Sequence, residues 1–99
     1  MFERIRDRIR AKLRSLDYVM TIHAEEEMEN DGLSILDIEQ AILNGNIVER
    51  QRDVESVDFK YLVRGKPFDD ADIVVVAKLS QTGKLLIITV YREKDEYEN

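Results

Sequence analysis

Two runs near the C-terminus constrain this chain more than anything else in it. Ile73-Val74-Val75-Val76-Ala77 and Leu85-Leu86-Ile87-Ile88-Thr89-Val90-Tyr91 are continuous apolar or β-branched stretches, joined by Ser80-Gln81-Thr82-Gly83-Lys84. Runs of this length and composition read as strands, and a glycine in the joining segment can adopt the positive φ that tight hairpins need. A strand that is apolar at nearly every position has no side to offer to water, so both faces of such a hairpin require cover. With helices on one face, the second is covered either by an N-terminal helix wrapping round or by another subunit. A homodimer is the expectation.

The rest of the chain supplies the partners for that hairpin. Ile47–Arg52 reads as a first strand, and in 59–64 Phe59, Tyr61 and Val63 alternate with Lys60, Leu62 and Arg64, the period of a half-buried strand. Gly65–Asp72 breaks the pattern as a loop. Upstream the period changes to that of a helix. Phe2, Ile5, Ile9, Leu13 and Leu16 form one apolar stripe, flanked by Arg4, Arg8 and Lys12 on one side and by Arg6, Arg10 and Arg14 on the other. Thr21 is placed to cap a helix running from Ile22 to about Asn30, with Ala24 and Met28 toward the core and Gly32 as its stop. Ser34 and Asp37 form a capping-box-like pair that opens a third helix, closed by Asn44-Gly45-Asn46. Asp17–Met20 is a short connector or brief strand. The expected fold is therefore α+β: N-terminal helices on a four-stranded, mainly antiparallel sheet. Residues 1–16 form a basic amphipathic helix belonging to the same fold, and 17–99 form the single α+β domain.

Charge and composition narrow the functions. The absence of cysteine excludes disulfides and thiolate metal sites. No stretch reaches the roughly 18–20 apolar residues that span a bilayer, and the N-terminus has no apolar signal core, so a soluble cytoplasmic protein is expected, without a membrane partner. The net charge of −6 is unevenly spread: residues 1–16 hold six basic and two acidic side chains, and the remainder holds nine basic and nineteen acidic. An acidic body disfavours generic nucleic-acid binding. The basic helix is left with three destinations: the body itself, a second copy, or RNA held by Arg4, Arg6, Arg8, Arg10, Lys12 and Arg14.

His23 is the only histidine and opens an acidic helix that also holds Glu25, Glu26, Glu27 and Glu29. A group that titrates near neutral pH suits proton transfer. An RNA-cleaving site built on it also needs a second proton shuttle and a cation for phosphate. Tyr91, Arg92, Arg64 and Lys84 are eligible, and Tyr91-Arg92 end the last strand, where side chains emerge at a sheet edge. The competing reading makes His23 a structural residue bonded to backbone. A metal site has little to build on: one histidine excludes two-histidine zinc motifs, and Asp69, Asp70 and Asp72 lack the remainder of a calcium loop. No metal and no cofactor are expected. Ser15, Ser34, Ser56 and Ser80 lie in no nucleophile-elbow context, and Gly32, Gly45, Gly65 and Gly83 are scattered as helix stops and turns rather than gathered in a phosphate loop.

Three strings carry a family resemblance. His23-Ala24 through Gly32-Leu33-Ser34 resembles the His-Ala-x-x-Arg-Met-x-x-Arg-Gly-Ile-Ser segment of the prokaryotic domain-of-unknown-function family 4258. Tyr61-Leu62-Val63 and Ile87-Ile88-Thr89-Val90-Tyr91 match later strands of that family in order, so the resemblance covers about residues 18–92. It implies a layout like the small RelE-type toxins, which cleave mRNA; for a chain that is an interaction module instead, a small antitoxin-like chain is the kind of partner to expect. The chain departs from the motif at both arginine positions, where it has Glu27 and Asp31. Exchanging two cations for carboxylates inverts the local charge where a phosphorane would need stabilising. Two functions follow: a toxin-like, RNA-cleaving protein or its degenerate relative, and a non-catalytic interaction or dimerisation module. Convergence of His23, Tyr91 and an arginine on one concave surface favours the first; an apolar patch buried by a partner favours the second.

Overall fold

The C-terminal hairpin is formed by β4 (Ile73–Leu79) and β5 (Leu85–Arg92), paired antiparallel from Ile73↔Arg92 to Leu79↔Leu85. Gly83 in the connection has φ +87, the backbone its turn requires. β2 (Asn46–Arg52) and β3 (Phe59–Gly65) complete the antiparallel meander. These elements belong to a computed structural model that describes residues 1–54, 58–68 and 71–93. Ser56, Asp69, Asp70 and the chain after Glu93 lie outside the described residues.

The sheet has five strands rather than four, in the order β1-β5-β4-β3-β2. The additional strand is β1 (Tyr18–Met20), which runs parallel to β5 from Tyr18↔Leu85 to Met20↔Ile87 and makes the sheet mixed. Three residues are too few to declare a strand by their own periodicity; only the exposed edge of β5, more than 60 positions away, recruits them. Arg92 is the last residue of β5.

Local chemistry closes the helices as expected. In α2 (Ile22–Asn30) the Thr21 hydroxyl accepts from Ala24 N at 3.1 Å, and Gly32 takes φ +69 just past the end. In α3 (Ile35–Asn44) both halves of the capping box form: Asp37 N donates to Ser34 Oγ and Ser34 N to Asp37 Oδ2. The shorter Asp side chain is therefore sufficient at that position. Its other oxygen accepts from Phe68 N at 3.0 Å, tying the helix start to the β3–β4 connection.

All three helices lie on one face of the sheet. Ile9 and Leu13 of α1 (Glu3–Arg14) share a buried cluster with Ala24, Ile38, Ile42, Val75, Ile87 and Val90, and the Phe2 ring meets Tyr61 edge-on at 6.2 Å between centroids. Each such buried aliphatic side chain stabilises by about 1.5–3 kcal/mol. The N-terminal helix thus does not wrap to the second face. On that face Val74 and Val76 are nonetheless 4% and 8% exposed. Their cross-strand neighbours, Arg64 and Tyr91 beside Val74 and Leu62 and Thr89 beside Val76, stand close enough to shield them. A β-bulge between Val76 and Ala77 shifts the alternation, so that Ile87 and Val90 both face the helices.

Gly65 is neither a helix stop nor a loop residue. It ends β3, buried, where α3 crosses it, and a Cβ there would overlap the carbonyl of Ala41, with Ala41 C at 2.7 Å. Asn44 locks the same contact, donating to Lys66 O at 2.9 Å and accepting from Lys66 N at 3.0 Å.

Candidate functional site

β1 covers only the first part of β5's outer edge, and α2 closes the rest. Thr21 N donates to Ile87 O at 2.9 Å and the Thr21 hydroxyl donates to Ile88 O at 3.0 Å. Six residues further on, Glu27 Oε1 accepts from Val90 N at 3.1 Å. Arg92 Nε donates to Asp31 O at 3.1 Å, just past the end of α2. A strand edge presents unpaired backbone groups, and here side chains and the helix end satisfy them. The seam holds the segment that carries the resemblance described above, and Glu27 and Asp31, which stand where that motif has arginines, are part of it.

His23 lies one helical turn before Glu27, with Nε2 3.2 Å from Glu27 Oε1. The imidazole is 67% exposed and the carboxylate 25%. Tyr91 and Arg64 flank Val74 in one cross-strand row on the sheet face away from the helices, two strand spacings or roughly 10 Å apart at the backbone. Arg64 Nε pairs with Glu93 at 2.7 Å. Along the seam His23 stands in the first turn of α2 and Arg92 bonds at Asp31 past its other end, eight residues or roughly 12 Å on by helix rise, whereas Arg64 and Tyr91 share one row on the sheet face away from the helices. Of the acidic loop, Asp72 pairs with Lys66 at 3.1 Å.

The six cations of α1 diverge. Arg10 is half-buried and caps the end of α3, its Nη2 donating to Gly45 O at 2.6 Å and its Nε to Ile42 O at 3.4 Å; burial pushes its pKa down. Arg6 lies 3.5 Å from Asp7. Arg8 faces a depression shared with Phe59 and Ser80, and Lys12 borders the β4–β5 turn at Gly83. Arg4 and Arg14 are exposed. The basic helix thus presents its charges around its circumference, and Arg10 is committed to structure.

Residues that the sequence assigns separately to a helix stripe, a connector, an acidic helix and a helix start come together to build a concavity. A groove of about 440 Å³ runs beside β1, floored by Tyr18, Met20, Met28 and Ile35, with Leu16 at one end and the exposed Glu25 and Glu29 along its α2 side. Tyr18 donates its phenol proton to Glu39 Oε2 at 2.7 Å; burial and then that carboxylate raise its pKa to about 12. Beyond Leu16 a second hollow of about 210 Å³ is bounded by Leu13, Leu43, Glu39 and Arg14. Four elements contribute to the groove, and each residue alone reads as ordinary core or surface. Met28, which the helix period turns toward the core with Ala24, is only partly buried and lines the groove instead.

Residues 20–92 match the model of a family described as a domain of unknown function (DUF4258). The chain belongs to that family. Comparison with curated proteins and with solved structures gave no match. In this DUF4258 chain the His-Ala motif residues lie on α2 against β5. At the motif's first arginine position the side chain is an acceptor for the strand, and at the second the backbone carbonyl is an acceptor for Arg92. No helix among the described residues is long and apolar enough to cross a membrane.

Proposed function

We propose that this DUF4258 chain is a non-catalytic, toxin-like interaction domain that holds a protein partner in the groove beside β1. One observation carries the proposal: an apolar groove of about 440 Å³, open to solvent and bordered by carboxylates, beside an edge strand whose outer side meets no further strand among the described residues. Sites of this size and lining are where proteins hold apolar side chains of their ligands. The candidate catalytic groups support the same view. His23 has a carboxylate for its nearest charged neighbour, Arg64 is paired with Glu93, and Arg92 is bonded to backbone. A phosphoryl-transfer site instead needs cations turned toward the reacting oxygens. The partner is a second chain, either an antitoxin-like protein or another copy.

The test is cleavage of RNA by the purified protein beside His23→Ala and Tyr91→Phe. None of the three is expected to cleave above the buffer blank. Cleavage by the wild type that disappears in His23→Ala would overturn the proposal and restore an RNA-cleaving enzyme. Sedimentation at two concentrations decides whether the partner is a second copy.

A further inference from the structure

The groove supports a more specific statement about its partner, which rests on the interaction reading above. Leu16 follows the C-cap of α1. Leu16 N donates to Leu13 O at 3.1 Å and Asp17 N to Lys12 O at 2.9 Å, the helix-closing pattern whose left-handed position ordinarily belongs to glycine. Leu16 occupies it with φ 61, the only positive φ at a non-glycine among the described residues. The residue is 71% exposed and lines both hollows. A glycine would close the helix with less strain. Leucine adds an apolar side chain that does nothing for the core and borders the groove. Strain kept at a binding surface is the pattern expected where the side chain has work outside the fold.

The charges of the groove select the partner. Glu25 and Glu29 are exposed, one helical turn apart on α2, and neither has an ion-pair partner among the described residues. Like charges at that spacing repel, and a bound cation relieves them. Glu39, held by Tyr18, adds a third carboxylate between the hollows, and Arg14 marks the far end. The domain's own basic helix is not the occupant, because its stripe is already spent on the core through Ile9 and Leu13. We infer that the groove holds a basic amphipathic segment of a partner protein, its apolar side chains against Met20, Met28 and Leu16 and its Lys or Arg side chains on Glu25 and Glu29.

Fluorescence anisotropy with three labelled synthetic peptides of equal length tests this. One carries leucines at helical spacing with lysines elsewhere, the second has glutamates for the lysines, and the third has serines for the leucines. The first is expected to bind about tenfold or more tighter than the other two, since both charge and apolar contact contribute. Leu16→Gly is expected to weaken it roughly fivefold or more with a thermal midpoint unchanged or raised, which separates binding from folding. Glu29→Lys is expected to weaken it similarly, while Glu26→Lys, the same charge change outside the groove, changes it less than about twofold. Equal binding of the three peptides overturns the inference, as does unaltered affinity in Leu16→Gly and Glu29→Lys, or a homodimer that keeps the groove closed to the peptide. His23-dependent RNA cleavage would strike the interaction reading instead. Failed peptide binding without cleavage strikes only the partner's chemistry.

Discussion

Replacing Glu27 by alanine separates a structural carboxylate from a catalytic one. Its Oε1 is the acceptor for Val90 N, on a residue with no exposed surface, and the carboxylate itself is three-quarters buried. A hydrogen bond to a charged group contributes about 1.5–3 kcal/mol, and removing the acceptor also leaves the Val90 amide unpaired at a buried edge. The contact with His23 adds little, because an exposed pair at this helical spacing is worth about 0.3–0.5 kcal/mol. Glu27→Ala should therefore cost about 2–3 kcal/mol, out of the roughly 5–15 kcal/mol expected for a domain of this size. In heat that is a fall of about 8–24 °C in midpoint. Glu27→Gln keeps an acceptor oxygen and should cost about 1 kcal/mol, and His23→Ala about 0.5 kcal/mol or less. Urea denaturation measures all three, and amide exchange at Val90 reports the bond directly. Equal losses in His23→Ala and Glu27→Ala, or Val90 exchange unchanged by Glu27→Ala, would refute the assignment of Glu27 to the strand edge.

Two further outcomes follow from the packing and from the groove. Gly65→Ala should cost about 3 kcal/mol, because a methyl there meets the Ala41 backbone, which cannot rotate aside. Gly32→Ala, with positive φ but nothing within 4 Å, should cost only about 1 kcal/mol; the reverse order in urea denaturation would exclude close α3–β3 contact as the cause. Tyr18 has its pKa raised from 10.0 to about 12, so the fold favours the neutral phenol. Its contribution to stability is complete below pH 10 and is lost as pH rises through about 12. Wild type should therefore lose stability across that window more steeply than Tyr18→Phe, and phenolate absorbance should show one tyrosine titrating late; parallel profiles would refute it.

The candidate site was legible only in part. The His-Ala motif and its two departures stand in the sequence, and they mark the seam between α2 and β5. The reason for a carboxylate at Glu27 does not stand there, because its acceptor role depends on Val90, 63 positions away. The same holds for Arg10, one of six cations with identical claims on solvent, which proximity to Gly45 alone makes a helix cap. The groove was invisible for a related reason. Leu16, Met20, Met28 and Ile35 come from a helix terminus, an edge strand and two helices, and no periodicity links them.

Three helices, the C-terminal hairpin, the caps at Thr21 and Ser34, the glycine turn at Gly83 and the family were determined by the sequence itself. They rest on forces acting within a few residues: side-chain period, hydrogen bonds to nearby backbone, and permitted φ. The tertiary structure alone decided that Tyr18–Met20 become a strand, that α1 shares a face with α2 and α3, that Gly65 must lack a side chain, and that an acidic-sided groove opens beside β1. Each depends on which distant surfaces meet, and a one-dimensional pattern does not contain that information.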